Sequence, residues 1–490
     1  MKLHNGPQPV PDADPNLAIH PSQQHRSQMF LRPKHPPPRP TPARRPSPLA
    51  CVMALSLGLL LGGCANLNID ETPDADAFQG LTETIWWRDF HDPLLADLIN
   101  QAMRANPGIL TSQAALRQAR ALRDVKLAAT RPNLTVSGSV QRNTADGAEP
   151  SVIFRSGLDA NWELDVFGAN RSAVANSEAD LQAAKASLRD VQLSMTAEVA
   201  LAYIQLRGLQ AQLGIARHNL DSQQETLQIT QWRAQAGLVT SLEVEQAQTA
   251  VSQTAAQLPA LQSSLAKTRH SLAVLTGQRP QELDTLLTAA LPIPQVATQL
   301  ADVIPADSLR QRADVRAAEE RITAALAAVD AADAARLPSF RLGGSVGLTA
   351  LTLAGLNNGA AVATQILSSM SVPVLDGGAA KAQVRAQQAV LAQTRATYQN
   401  TVLTALKEVE DALIALQHDR ERLRHLQQAA SAADNAALLA QNRYSSGLID
   451  FQTVLQTQRT LLSAQDSVAG VQADLGSGHV RLIKAMGGGW

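Results

Sequence analysis

The chain has 490 residues, of which only 3% are aromatic and 17% are charged, and its formal net charge is −1. Long tracts rich in Ala, Gln and Leu are typical of packed helices and argue against a mixed α/β enzyme. Residues 1–63 hold seven of the 42 basic residues and two of the 43 acidic ones, so the remainder is acidic and lacks the basic surface that nucleic acid requires. Both cysteines, Cys51 and Cys64, lie near the N-terminus, which excludes a disulfide framework or a thiolate metal site in the body.

The N-terminal segment has the features of an export signal. Residues 1–48 are rich in Pro, Arg and His and cannot bury a core, so we treat them as an extension outside the fold. Residues 49–63 form an apolar run behind two arginines, which is typical of a secretory signal and short for a membrane span. The run ends in small residues before Cys64, as in a bacterial lipoprotein cleavage box, so we predict that Cys64 is lipidated. Ala65 follows it, which favours the outer membrane; an ordinary cleaved signal is the alternative.

Short alternating stretches indicate strands. After an N-terminal segment at 64–105 and a helix at about 107–130, residues 133–141 and 158–165 alternate apolar and polar side chains, as on strands with one apolar face. A second set contains Phe340, Leu342, Gly344, Val346 and Leu348, and then Met370, Val372 and Val374. Such alternation fits either a soluble sandwich or a membrane barrel. A row of carboxylates, Asp159, Glu163 and Asp165, favours a wet lumen over a core.

Long helices follow each pair of strands. The sequence from Gly168 to Gly237 is almost free of Pro and Gly, which predicts a helix on the order of 100 Å long. A returning helix at about 241–277 keeps a heptad register, so the two form an antiparallel coiled coil. This helix and the helix at 107–130, stacked end to end, would nearly match the long one. Asp165 and Asp376 are predicted to cap the long helices beside glycine turns.

The chain contains two copies of one unit. The stretch RAQAGLVTSLEVEQAQT, residues 233–249, matches RYSSGLIDFQTVLQTQR, residues 443–459, at an offset of 210. We therefore divide the body into a first repeat at 106–290, a linker at 291–311 and a second repeat at 312–490. Four strands per chain are too few to close a membrane barrel, so a barrel requires an oligomer of two or three chains.

Several motifs together resemble a known family. They are WWRDFHDPLLADLINQAMRANP (86–107), RADVRAAEERI (312–322), LPSFRLGGS (337–345) and VPVLDGG (372–378). In this order they resemble the outer-membrane channel lipoproteins of tripartite efflux systems, the TolC/OprM-type family and its NodT-like branch. The resemblance implies a mainly α protein with a small β part. In it a homotrimer forms a 12-stranded β-barrel in the outer membrane and a periplasmic α-helical barrel. A periplasmic adaptor would join this channel to an inner-membrane RND-type pump, and drugs or other small molecules would pass through it.

The resemblance also implies roles for the two glycine turns. They are the tips of the helical hairpins, and the predicted adaptor contact consists of Gly237, Leu238, Val239, Gly447, Leu448 and Ile449. The predicted gate consists of Glu243, Tyr444, Asp450, Thr453, Leu455 and Gln456. Tyr444 and Glu243 match a tyrosine–acid pair, Leu455 matches an apolar constriction, and Asp450 adds negative charge. The acidic rings of the family fall at Thr453 and Gln456, which are uncharged.

Other function classes have little support. The sequence has no GxxxxGK[ST] phosphate loop and no HExxH zinc motif, and its histidines are scattered, so we predict no enzyme activity, no cofactor and no metal site. Two alternatives remain: an export duct for proteins or metal ions, and a coiled-coil periplasmic lipoprotein scaffold that forms no channel.

Overall fold

The computed structural model describes residues 85–144, 149–296 and 310–488. The predicted extension, the signal run and Cys64 lie outside these residues. The α-helices of the described ranges are α1 (Pro93–Ala105), α2 (Pro107–Ala128), α3 (Ala169–Gln235), α4 (Ser241–Leu275), α5 (Ala313–Ala334), α6 (Ala379–Ser445) and α7 (Phe451–Ala485). The strands are β1 (Asn133–Asn143), β2 (Ser151–Leu164), β3 (Ser339–Ala350) and β4 (Ala361–Ser371). No helix in the described part of the chain combines the length and hydropathy needed to cross a membrane.

The four strands form one antiparallel sheet in the order β1-β2-β3-β4. Its cross-strand rows keep the alternation of the sequence. Val136, Leu158 and Val346 lie side by side on one face, while the next row on the other face contains Thr135, Asp159, Ser345 and Gln365. Apolar side chains on the first face are largely exposed, up to 85% for Ile366. Within one chain, this sheet therefore presents an uncovered apolar face and a polar face.

Two strand boundaries differ from those predicted. The second strand begins at Ser151, well before the expected residue 158, because its first half pairs with β1 and so belongs to the hairpin. The last strand ends at Ser371, and Val372 and Val374 lie beyond it. The sequence VPVLDGG is apolar and alternating, but Pro373 lacks the N–H that a ladder requires.

The two copies have the same helical plan. In each copy a 22-residue helix, a 67-residue helix and a 35-residue helix occur in that order. Both 67-residue helices begin after a glycine with positive φ, Gly168 or Gly378, and a nearby aspartate accepts hydrogen bonds from their first amides. Asp165 accepts from Asn170 and Arg171, and Asp376 accepts from Gly378 and Ala380. The predicted caps are confirmed.

The shorter helices stack end to end along the long ones. In the first copy, Asn106 is the N-cap of α2 and accepts hydrogen bonds from Gly108 N and Ile109 N at 2.8 and 3.2 Å. Its amide also donates to Leu275 O at the end of α4, at 2.7 Å. In the second copy Arg312 precedes α5 and donates to Ala485 O of α7 at 2.7 Å. The predicted stacking is thus present in both copies.

The main core surrounds this junction. An apolar cluster from α1, α3, α4 and α7 is centred on fully buried residues, including Leu98, Ile204 and Leu272. Arg207 is fully buried in the same region. Its guanidinium donates to Gln210 Oε1 at 2.6 Å, Ala289 O at 2.7 Å and the Tyr203 hydroxyl at 2.8 Å. The bond to Ala289 O fastens the segment after α4 onto the long helix.

We predict that Asn106→Ala loosens the junction in the first copy. The substitution removes both the cap and the bond to Leu275 O, which together are worth about 1–3 kcal/mol. The expected result is faster amide hydrogen exchange at residues 108–110 and 275–278. Asn400→Ala is the control, because Asn400 is exposed on α6 and makes no side-chain hydrogen bond among the described residues. Equal exchange in both variants would contradict the role of Asn106.

Candidate gate at the helix tips

The two hairpin tips have the same turn geometry. Gly237 and Gly447 have φ values of 71° and 75°, a region that favours glycine at the C-terminal end of a helix. The next residues, Leu238 and Leu448, donate their amides to Arg233 O and Arg443 O, both at 2.8 Å. These bonds close each long helix and direct the chain into the returning helix.

The apolar side chains at the tips differ in exposure. Leu238 and Leu448 are 68% and 74% exposed. Val239 and Ile449 are half-buried, and Ile449 packs against a cluster formed by the two hairpins. Of the six residues predicted to contact an adaptor, Leu238 and Leu448 therefore offer the most apolar surface.

Tyr444 is the centre of a contact between the two hairpins, which we call the tip clamp: Tyr444, Thr230 and Arg233. The Tyr444 side chain is buried, and its hydroxyl lies 3.2 Å from Thr230 Oγ1. The Arg233 guanidinium carbon lies 4.5 Å from the centre of the Tyr444 ring, within the range of a cation–π interaction. Arg233 also donates a hydrogen bond to Tyr444 O. The tip clamp thus joins the end of α3 to the end of α6.

This arrangement differs from the tyrosine–acid pair that the sequence led us to expect. Within the described chain, the Tyr444 hydroxyl is beside Thr230 and not beside Glu243. Glu243 is half-buried in the first turn of α4, and its carboxylate makes no hydrogen bond or ion pair among the described residues. The positive charge beside the Tyr444 ring belongs to Arg233. In the sequence, Arg233 and Arg443 match at the 210-residue offset. This match indicates that an arginine lies near each tip, but it does not show which arginine contacts the tyrosine.

Leu455 lies in the interior of the hairpin contact. It is 6% exposed and belongs to an apolar cluster that includes Ala247, Tyr444, Phe451 and Val454. An apolar constriction needs side chains that face the pore, and this conformation gives Leu455 no such surface. The side chain of Gln456 is exposed one residue later on α7.

Asp450 and Thr453 together cap the start of α7. The Asp450 carboxylate accepts bonds from Thr453 Oγ1 at 2.6 Å and Thr453 N at 2.9 Å. These bonds lower the pKa of Asp450 from its ordinary value. The cap is therefore fully formed above the ordinary pKa and is lost as the pH falls through the lowered one. The Asp450 carboxylate, predicted to add negative charge to the gate, is engaged in this local turn.

A row of polar side chains, which we call the polar seam, joins α3 to the second hairpin above the tip clamp. Its members on α3 are the buried residues Asn219, Gln223, Thr226 and Thr230, spaced four, three and four residues apart. Asn219 donates to Gln465 Oε1 at 3.0 Å, and Gln458 donates to Thr226 Oγ1 at 2.9 Å. Positions with this spacing are ordinarily apolar in a coiled coil. Hydrogen bonds thus join α3 to α7 at two of these positions.

We predict that Thr230→Val destabilises the tip. The change preserves shape but leaves the buried Tyr444 hydroxyl without a partner, which costs about 1–3 kcal/mol. Combining it with Tyr444→Phe removes both partners and should recover most of the loss. Amide hydrogen exchange at residues 440–448 measures the effect. If the double variant exchanges as fast as Thr230→Val, the hydrogen bond is not the cause.

Comparisons with known proteins agree with this architecture. The model of the outer membrane efflux protein family matches residues 98–278 and 304–488. A pyoverdine export outer membrane protein, OpmQ of Pseudomonas putida, is 32% identical over 90% of this chain and 97% of its own length. Nodulation protein T of Rhizobium leguminosarum bv. viciae is 30% identical over 89% and 93%. The solved outer-membrane channel OprN has a TM-score of 0.79 and 36% identity, covering 83% of this chain and 93% of its own. The chain therefore belongs to the outer membrane efflux protein family and is an outer-membrane efflux channel.

Proposed function

We propose that this protein is the passive outer-membrane duct of a tripartite efflux pump and has no catalytic activity of its own. Three copies would form a 12-stranded barrel continuous with a periplasmic helical tunnel. An adaptor and an inner-membrane RND-type pump would supply the substrate and the energy. Residues 106–290 and 312–490 would be the two repeats of each copy, and residues 291–311 the linker between them.

The observation that carries the proposal is the two-faced sheet with open edges. In the described sheet β1 and β4 each pair on one side only, so their remaining backbone groups are available to a neighbouring chain. The exposed apolar face suits lipid, and the polar face with Asp159 and Glu163 suits a wet lumen. Joining β1 of one copy to β4 of the next satisfies these edges without any new element.

The tips are the proposed contact with the adaptor. Leu238 and Leu448 are exposed at the ends of both hairpins, and Gly237 and Gly447 leave the turns free of side chains. Two exposed leucines per chain, repeated around a ring of chains, suit the docking of helical hairpins. Val239 and Ile449 would pack beneath these leucines and hold them in position.

The gate is proposed to close at the tip clamp. Opening the tunnel would require the hairpins to separate, which breaks the contacts of Tyr444 with Thr230 and Arg233. The resemblance to tyrosine–acid gates still gives Glu243 a role in contacts between chains. We assign Leu455 to packing of the closed tip, because its side chain is buried there.

A metal-ion or protein duct and a coiled-coil scaffold are the rival functions. The relatives are described as export or efflux proteins for pyoverdine and toluene, which favours small organic molecules as cargo. A scaffold would not need a sheet with an exposed apolar face. Recovery of the protein as a soluble periplasmic monomer, in place of a detergent-resistant outer-membrane oligomer, would rule out the channel.

We predict that Arg233→Gln raises the open probability of the channel. The change removes the cation–π contact and a charged hydrogen bond from the closed tip. A loss of about 1–2 kcal/mol would shift the balance between open and closed states by roughly 5- to 30-fold. Single-channel conductance in planar bilayers measures this shift.

Arg443→Gln is the matched control for this experiment. Arg443 occupies the equivalent position in the second copy, is exposed, and makes no side-chain bond among the described residues. Its substitution should leave the conductance unchanged. An equal increase in both variants would mean that lost tip charge, and not the tip clamp, controls opening.

We also propose that Cys64 carries the lipid anchor. The prediction is that Cys64→Ser abolishes labelling with radioactive palmitate and leaves an unprocessed signal. Cys51→Ser should change neither. Palmitate labelling that survives Cys64→Ser would contradict the assignment.

A further inference from the structure

A cavity of about 560 Å³ opens in the polar seam between α3, α4 and α7. This volume lies within the range of sites that hold small molecules. Gln212 and Gln223 line it from α3, Leu261 from α4, and Arg459, Leu462 and Asp466 from α7. The cavity is separate from the tip clamp and from the sheet.

Gln223 is the one polar seam residue on α3 whose side chain lacks a partner within the described chain. It is 4% exposed, and its Oε1 atom is buried with no hydrogen bond in the described structure. Asn219 and Thr226, the neighbours on either side, are both bonded to α7. A buried acceptor without a partner costs about 1–3 kcal/mol. Because Gln223 lines the cavity, a donor there would satisfy it.

Opposite charges lie toward the two ends of the cavity. Arg459 and Asp466 are seven residues apart on α7, which places them about 10 Å apart along the helix on the same side. Arg459 forms no ion pair or hydrogen bond from its side chain among the described residues. Burial raises the pKa of Asp466, and a hydrogen bond with Gln212 partly offsets this. Neither charge has an ionic partner within the described chain.

The lining between the two charges is partly aliphatic. Leu462 and Ser463 lie between the charged residues on α7, and Ala216 and Leu261 add aliphatic surface from α3 and α4. A molecule that bridges the charges would therefore pass over aliphatic side chains and beneath the amide of Gln223.

We propose that this cavity binds an elongated zwitterion, with its cation at Asp466, its anion at Arg459 and an N–H donor facing Gln223 Oε1. An uncapped apolar tripeptide has this chemistry, since three extended residues span about 10 Å between the charged ends. The peptide amides supply the N–H, and the small side chains fit the aliphatic middle.

Such a ligand would also connect helices that have little contact with each other. The cavity has walls from α4 of the first hairpin and α7 of the second, so an occupied site braces the hairpins against separation. This consequence rests on the proposed gate, whereas binding itself does not.

Calorimetry with trialanine on the detergent-solubilised full-length channel tests the site. We expect binding that weakens at least about tenfold when either end of the peptide is neutralised, by N-acetylation or by C-terminal amidation, because each charged hydrogen bond contributes enough binding energy for such a change. Dialanine should also bind more weakly, because it is too short. No binding of trialanine, or equal binding of the capped peptides, overturns the proposal. These comparisons use the unaltered protein and so do not depend on whether a variant folds.

Variants then locate the site. Asp466→Asn, Arg459→Gln and Gln223→Leu should each weaken trialanine binding, whereas Asp434→Asn and Arg395→Gln, at exposed positions of α6, should not. Equal effects of both sets would overturn the location. Bilayer conductance separates the two ideas: binding that lowers the open probability supports the bracing, and binding without any change overturns the bracing while supporting the site.

Discussion

The structure depends on one constraint of length: each 67-residue helix must be covered by two shorter helices whose ends meet beside it. At that meeting point the last carbonyls of one helix and the first amides of the next have no helical partner. Asn106 satisfies both sides in the first copy, and Arg312 reaches the equivalent carbonyl in the second. The strands precede each long helix and the tip follows it, so strands and tips lie at opposite ends of the long helices.

The surfaces between helices change character along this length. Around the junction the contacts are apolar, with Ile204, Leu206 and Leu272 fully buried. Toward the tips the polar seam adds buried hydrogen bonds beside the apolar cluster that includes Leu455. A buried hydrogen bond contributes only about 0.5–1.5 kcal/mol net, while a buried leucine contributes about 1.5–3 kcal/mol. Water can replace the bonds of the polar seam when the hairpins separate. The polar seam should therefore separate more easily than the apolar junction, and it lies toward the end where we propose that a gate opens.

Much of this architecture could be predicted from the sequence, because repeat offsets and helix lengths are periodic properties. The helix ends at the glycine turns and the stacking of 107–130 on 241–277 followed directly. Strand ends were less accurate, since VPVLDGG alternates like a strand but contains a proline. The contacts of the predicted gate residues were least predictable. Leu455 suits a core position and a pore position equally well by type, and Tyr444 contacts Thr230, 214 residues away, a pairing that no local pattern specifies.

The two copies differ at the positions that form the tip clamp. Ala234 stands where the second copy has Tyr444, and Ala440 stands where the first copy has Thr230. The tip clamp therefore forms once per chain, from Arg233 of the first hairpin to Tyr444 of the second. The equivalent positions with the copies exchanged lack the tyrosine and the threonine, so they cannot form a second clamp. In a ring of three chains, hairpin contacts would alternate between those with a tip clamp inside a chain and those without one between chains. In the mechanism that we propose, an adaptor that releases these three clamps opens the ring.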